Sequence, residues 1–180
     1  EVDATQGNLS GTISIVNNNP TLGSFDVVIS NVKAPNGVET VSVPIWSEIN
    51  GQDDIIWYTA DRQNNGTYTV NVKASAHKNS TGLYNVHLYY VQKDGQLTGV
   101  GGTTTQVFIG KTSEQLKPKV SFAIENNNAK NGTFDAVITN ITAPLGVKEV
   151  LVPTWSLEKS QDDVIWHKAS KQTDGSYRVT

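Results

Sequence analysis

The sequence has no cysteine and no methionine, and only 17% of its 180 residues are charged. The lack of cysteine excludes disulfide bridges and thiolate metal sites. The net charge of −3 is small and dispersed, which argues against nucleic acid or an anionic membrane surface as a partner. No apolar run approaches the roughly 20 residues of a membrane-spanning helix. Without an initiator methionine, the segment is expected to come from a longer, extracellular protein.

What is present is a tandem repeat. Residues 12–71 return without a gap at 121–180, and the offset is constant, as in Trp155 and Trp46 (155 − 46 = 109). About half of the aligned positions are identical, so each copy is one structural unit used in series. Repetition favours binding over catalysis, because linked weak sites raise avidity, whereas an active site gains nothing comparable from duplication.

The two copies differ in length. The first continues to about residue 109, whereas the second reaches Thr180, opposite Asn71. The sequence therefore predicts domains at 12–109 and 120–180, joined by a short polar linker at 110–119. We expect the second copy to leave an open sheet edge and an uncovered core face. We therefore expect either that the segment was cut from a longer array or that a neighbouring molecule completes the partial domain.

Short alternating runs separated by turn residues predict an all-β fold of tandem immunoglobulin-like sandwiches, with about seven strands per complete unit. Val41 and Val43 are predicted to point into the core, and Pro44 suggests that their strand lies at a sheet edge. We predict strands near 12–16, 25–30, 39–46, 54–59, 67–73, 83–91 and 103–109. No helix of consequence is expected.

The strand at 83–91 has two distinct faces. Tyr84, Val86, Leu88 and Tyr90 alternate with polar or aromatic residues and form the predicted core face. Gly-x-Tyr before a buried apolar position resembles the tyrosine corner of immunoglobulin-like domains. The opposite face, with Asn85, His87 and Tyr89, is either a polar and aromatic platform suited to carbohydrate or an ordinary solvated sheet face.

Several strings occur in a fixed order along the first copy: Pro-x-Trp-Ser at 44–47, Gly-Gln-Asp-Asp-Ile-Ile-Trp-Tyr at 51–58, Asn-Gly-Thr-Tyr at 65–68 and Gly-Gly-Thr-Thr at 101–104. Together they resemble the Bsp-like repeat of group B streptococcal surface proteins and streptococcal cell-wall hydrolases. The resemblance spans nearly all of 13–108 and the front part of the motif set in 122–180. It implies a non-catalytic module beside an autolysin or amidase domain, on the Gram-positive cell wall.

Tryptophan is the residue type on which binding would most depend. The four tryptophans can stack on sugar C–H surfaces, and neighbouring carboxylates can accept hydrogen bonds from sugar hydroxyls. Alternatively, the tryptophans are core residues, which is common in sandwiches. Trp46, however, is out of phase with Val41, Val43 and Ile45, which favours an outward position. The candidate ligand-binding residues are Trp46, Asp53, Asp54, Trp57, Tyr58, His87, Tyr89, Trp155, Asp162, Asp163 and Trp166.

Catalytic and metal sites are less well supported. Asp53 and Asp54 either cap a turn, contact a glycan or contribute oxygen ligands to Ca²⁺; turn capping is the preferred interpretation. The Gly-Val-Gly-Gly segment at 99–102 precedes a strand and predicts a bulge or hairpin turn, not a phosphate-binding loop. We expect no cofactor, no metal and no catalytic residue.

Two functions remain open at this point. The first is a repeat that binds peptidoglycan or a wall polysaccharide and so positions a hydrolase; neighbouring copies of the repeat are possible further partners. The second is a structural spacer or protein-binding adhesin segment of a surface protein.

Overall fold

The computed structural model describes residues 8–180 and divides them into two compact units, with the boundary between Thr112 and Ser113. We call them unit 1 and unit 2. The boundary falls inside the predicted linker. The first two linker residues belong structurally to unit 1, because Gly110 N–H and Lys111 N–H donate to the carbonyl oxygens of Thr21 and Pro20.

Unit 1 is built from eight strands in two antiparallel sheets. The strands are β1 (Ser10–Asn19), β2 (Ser24–Lys33), β3 (Val38–Ser47), β4 (Ile56–Thr59), β5 (Asp61–Arg62), β6 (Tyr68–Lys73), β7 (Gly82–Gln92) and β8 (Leu97–Val107). Sheet A has the order β1-β2-β6-β5, and sheet B has the order β4-β3-β7-β8. This order is that of an immunoglobulin-like sandwich, so the predicted all-β fold is confirmed.

Each of the seven predicted strands has a counterpart in unit 1, but several bounds were wrong. β8 begins at Leu97 and not near 103, so the Gly-Val-Gly-Gly segment at 99–102 lies inside a strand and not before one. The two-residue strand β5 was missed, which makes eight strands instead of seven. The predicted strand at 54–59 begins only at Ile56, because Glu48–Asp54 forms 3-10 turns with a kink at Gly51. Other 3-10 segments are Ala74–Ala76, Glu114–Leu116 and Ser160–Asp163.

The core of unit 1 lies between the two sheets. Sheet A contributes Phe25, Val27 and Ile29, and sheet B contributes the predicted inward face of β7. Phe25 meets Tyr84 edge to face, with ring centroids 6.0 Å apart. The hydroxyl of Tyr84 donates to the carbonyl oxygen of Ser80 at 2.9 Å, as in a tyrosine corner. The predicted core faces of β3 and β7 are thereby confirmed.

The prediction of an edge position for Pro44 is wrong. Its strand, β3, lies between β4 and β7. The pairs with β7 pass from Ser42–Tyr89 to Ile45–Val86, and neither Val43 nor Pro44 has a partner there. An interior strand accommodates the proline because the ladder is interrupted where the N–H group is missing.

Unit 2 repeats the front part of unit 1. Its strands are β9 (Lys119–Asn128), β10 (Thr133–Thr142), β11 (Leu151–Thr154), β12 (Ile165–Lys168), β13 (Ser170–Lys171) and β14 (Tyr177–Val179). They form a sheet of order β13-β14-β10-β9 and a β11-β12 pair. The repeat offset places none of the 180 residues opposite Tyr84. Accordingly Phe134, the counterpart of the buried Phe25, is 40% exposed, which agrees with the expected uncovered core face.

Candidate ligand-binding surface

The outer face of sheet B carries a cluster of aromatic rings. Trp57 on β4 contacts Tyr89 on β7, with ring centroids 5.2 Å apart. Trp46 on β3 contacts His87 on β7 edge to face, at 4.7 Å. The four rings are drawn from three adjacent strands, and Trp57 is 50% exposed. We call this cluster the aromatic platform.

The register of sheet B explains why these rings meet. Pro44 lies directly opposite Trp57, and Ser42 opposite Tyr89, so these side chains point to the same side of the sheet. Pro44 is buried although its position faces outward. Burying the rigid proline ring at this position costs little side-chain entropy, whereas a flexible side chain would lose rotamer freedom there.

Glycines of β8 make room for two of the rings. A Cβ atom at Gly102 would lie 2.9 Å from Cδ2 of His87, and one at Gly99 would lie 3.3 Å from Cε1 of Tyr89. The register of β7 and β8 shifts between Leu88 and Tyr89, next to the Gly99–Gly102 segment. The predicted bulge is therefore present, and its glycines form the floor beneath the aromatic platform.

One end of the platform has a polar rim. Asn85 Nδ2 donates to Glu48 Oε2 at 2.6 Å, and Asn85 is the cross-strand partner of Trp46. Ile49, next to Glu48, is 76% exposed. This rim offers a carboxylate and an apolar side chain beside Trp46, which suits a ligand with both hydroxyl and C–H surfaces.

Asp54 does not belong to the platform. It is buried, and its carboxylate accepts hydrogen bonds from the backbone N–H of Ser47 at 2.9 Å, from the Ser47 hydroxyl and from Asn50 Nδ2. Burial opposes ionisation, but these hydrogen bonds outweigh it and hold the pKa of Asp54 below its usual value. The turn-capping interpretation fits this geometry, and ligand contact by Asp54 does not. Asp53 is exposed.

Tyr58 also points away from the platform, toward His77, a buried histidine that was not among the candidate site residues. The hydroxyl of Tyr58 lies 2.8 Å from Nε2 of His77, and Nδ1 of His77 lies 2.9 Å from the carbonyl oxygen of Asp54. Because a carbonyl oxygen only accepts, Nδ1 of His77 carries a proton; in the neutral imidazole, Nε2 then accepts from the Tyr58 hydroxyl. His77 thus ties the loop before β7 to the end of the 3-10 turns. No periodic pattern marked it.

The predicted site residues of unit 2 occupy matching positions. Trp166 lies opposite Pro153, as Trp57 lies opposite Pro44. Asp163 Oδ1 accepts from the backbone N–H of Ser156 at 3.0 Å and repeats the Asp54 cap, whereas Asp162 is exposed. Trp155 and Trp166 are 48% and 64% exposed. The core-packing alternative is thus wrong for Trp57 and Trp166, and Trp46 lies half-buried on the outer face. Trp155, just after β11, lines a cavity with Phe134 and Ala136 of the uncovered core.

Two cavities in unit 2 have a different origin. Each has a volume of about 260 Å³, and both are lined by Phe134, Ala136 and Thr154. Phe25 and Val27, the unit 1 counterparts of Phe134 and Ala136, are buried in the sandwich core. These cavities are uncovered core, not a ligand pocket. Among residues 8–180, no three His, Asp or Glu side chains are grouped closely enough to hold a metal ion.

Comparison with known proteins identifies the repeat. The family described as GBS Bsp-like repeat matches residues 14–105 and 123–180, most of the chain. The chain belongs to the GBS Bsp-like repeat family. The resemblance drawn from the motifs is confirmed. Bsp-like repeats are a non-catalytic type of domain found in surface proteins. Within the described residues, no helix is long and apolar enough to cross a membrane.

Solved structures with a similar fold are distant. A polysaccharide deacetylase from Bacillus cereus and one from Bacillus anthracis each give a TM-score of 0.47, at 13% and 11% identity. The alignments cover 54% of this chain and 30% of each deacetylase. Residues 217–571 of Staphylococcus aureus TarS give a TM-score of 0.40 at 10% identity, covering 94% of this chain and 54% of that one. Similarities at this level carry no argument about function. The search of curated proteins found no match.

Proposed function

We propose that the Bsp-like repeat is a non-catalytic module that binds cell-wall glycan, and that tandem copies hold an attached peptidoglycan hydrolase on its substrate. The observation that carries the proposal is the aromatic platform. Two aromatic pairs, Trp57–Tyr89 and Trp46–His87, lie on one sheet face, where protein surfaces are normally polar. Trp57 is 50% exposed and the other three rings are partly exposed. Flat rings at the surface stack on the C–H faces of sugars.

The repeated architecture supports a holding function. In sequence, Trp155 and Trp166 of unit 2 correspond to Trp46 and Trp57, so an array of complete repeats would carry one aromatic platform per repeat. Weak sites in series gain affinity because the second contact is intramolecular. We infer an extracellular, cell-wall-associated location from the same reasoning.

Binding to purified peptidoglycan sacculi tests the proposal. The full chain is incubated with sacculi at about 10 µM, a range in which weak modules bind measurably. We expect depletion from the supernatant, and a loss of affinity of about tenfold or more, equal to roughly 1.4 kcal/mol, for Trp57→Ala and Tyr89→Ala. Leu22→Ala is the matched control, since Leu22 is 71% exposed in the turn between β1 and β2.

A folded chain that stays in the supernatant contradicts the proposal. The same holds if both aromatic variants bind like the control. Thermal unfolding of each variant must be cooperative for either result to count. If binding fails in either of these ways, the spacer or adhesin interpretation becomes the better one, because the aromatic platform would have no glycan ligand.

A further inference from the structure

We propose that the aromatic platform recognises an uncharged, N-acetylated glycan strand and not the phosphate-linked polyol polymers that also occur in bacterial walls. This inference rests on the proposed function and names the class of ligand. It is drawn from the charge, hydrogen-bonding groups and extent of the outer face of sheet B.

The four strands of sheet B carry no Lys or Arg side chain, and their only charged residue is Glu39, exposed at the bulge near the start of β3. Cross-strand partners share a face, so the outward positions can be read from the register of Ser42, Tyr89 and their neighbours. They hold aromatic, aliphatic, hydroxyl and amide side chains, histidine or glycine. Sheet A differs, since its corresponding face carries Asp26, Asp61 and Lys73. The lack of basic side chains is thus a local property of sheet B and not a result of low overall charge.

Neutrality discriminates between wall polymers. Binding of a phosphate diester requires Arg or Lys side chains, or backbone N–H groups at a helix N-terminus, to replace its hydration. The platform supplies neither among its four strands. The single carboxylate at the rim, Glu48, would repel a polyanion. A neutral sugar meets no such penalty.

The polar groups around the rings suit hydroxyl and acetamido substituents. Thr104 lies opposite Asn85, and Thr59 lies opposite Ser42. Gln106 follows on the same face of β8, opposite Leu83. Hydroxyl and amide groups both donate and accept, as do the N–H and C=O of an acetamido group. The acetyl methyl can pack on a ring face of Trp46 or Trp57.

The extent of the face indicates a polymer rather than a chain end. The four strands of sheet B lie side by side, and their spacing of about 4.8 Å gives a width of roughly 14 Å. The rings are spread over three of these strands and are not enclosed in a pocket. Such a surface contacts a run of sugar rings laid along it.

Calorimetric titration of the full chain separates the ligand classes. The probes are a hexamer of N-acetylglucosamine, its deacetylated hexamer and a glycerol-phosphate polymer. We expect the N-acetylated hexamer to bind at least tenfold more tightly than either of the others. Its affinity should change less than about twofold between 50 and 500 mM NaCl, because no ion pair is formed. Trp57→Ala should abolish the heat, and Leu22→Ala should not.

Native sacculi and sacculi stripped of phosphate polymers complete the test. Equal binding to both, together with binding of the N-acetylated hexamer, supports the inference. Binding that requires the phosphate polymer, or binding to stripped sacculi without any binding of the hexamer, overturns it while leaving wall binding intact. If neither kind of sacculus is bound, the proposed function itself fails. A tenfold loss of affinity at high salt would also overturn the inference.

Discussion

Gly102 lies directly beneath the imidazole ring of His87, where a Cβ atom would come within 2.9 Å of Cδ2. The ring of His87 in turn meets Trp46 edge to face. β8 therefore makes room for the aromatic platform, because Gly102 has no side chain where the ring of His87 lies.

Gly102→Ala should move the His87 ring and weaken glycan binding about threefold to tenfold, with little change in stability, because the backbone of β8 needs no left-handed conformation there. Gly101→Ala is the matched control, since a Cβ atom at Gly101 meets nothing within 4 Å. Sacculus binding of the two variants is compared with their urea midpoints. Equal affinities would show that ring position is unimportant.

Asp54→Asn should destabilise unit 1 at neutral pH by about 2–4 kcal/mol, because the Ser47 hydroxyl and N–H lose a charged acceptor. The pKa of Asp54 is lowered in the folded protein, so its stabilising effect is complete above the ordinary value of 3.8 and is lost as the pH falls below it. Urea denaturation at pH 7, 4 and 3 measures both effects. Asp53→Asn alters an exposed neighbour and is the control, so its stability should depend on pH as that of the parent chain does. If the stability of Asp54→Asn also fell with pH in the same way as the parent's, Asp54 would not be the source of the acid sensitivity.

Tyr84→Phe should lower the stability of unit 1 by about 1–2 kcal/mol, since the carbonyl of Ser80 loses its buried donor. Tyr89→Phe, altered on the exposed face, should change stability by less than about 0.5 kcal/mol. Denaturant unfolding compares the two variants. A similar loss in both would remove any special role for the tyrosine corner.

Alkaline pH should destabilise unit 1 through the same core. Burial raises the pKa of Tyr84 to about 12, and that of Tyr90 likewise to about 12. The unfolded chain releases these protons near pH 10, whereas the folded chain retains them up to about pH 12. The free energy of unfolding therefore decreases as the pH rises from about 10 to 12, and the folded state becomes less stable. Absorbance titration at 295 nm should show two tyrosines, Tyr84 and Tyr90, that ionise only near pH 12.

The parts of the fold that the sequence could predict were those with strict alternation. Val41, Val43 and Ile45 identified the core face of β3, and this placed Trp46 outside correctly. The edge position inferred from Pro44 was wrong. A gap in the hydrogen-bond ladder between β3 and β7 accommodates the proline inside the sheet, and the sequence of a single strand does not reveal such a gap. Which strand provides the partner is a long-range property.

The candidate site divides in the same way. His87 and Tyr89 lay on a periodic strand and were placed correctly, whereas Asp54 and Tyr58 were chosen for their chemistry and face the interior. His77 lies in an aperiodic loop, so no pattern could mark it. Gly102 was read as part of a turn or bulge, and its position under His87 depends on the pairing of β7 with β8.

The carboxylate that closes on Ser47, and its counterpart on Ser156, each reach back only seven residues along the chain. Such a hydrogen bond from a carboxylate to the start of the loop holds the two ends of the loop together, whichever residues lie between them. The enclosed residues have indeed diverged, with Glu48 and Ile49 in one copy and Leu157 and Glu158 in the other. Successive modules can thus differ in the side chains of this loop while keeping the same scaffold. Under the proposed function, one array could therefore contact a polymer whose composition varies along its length.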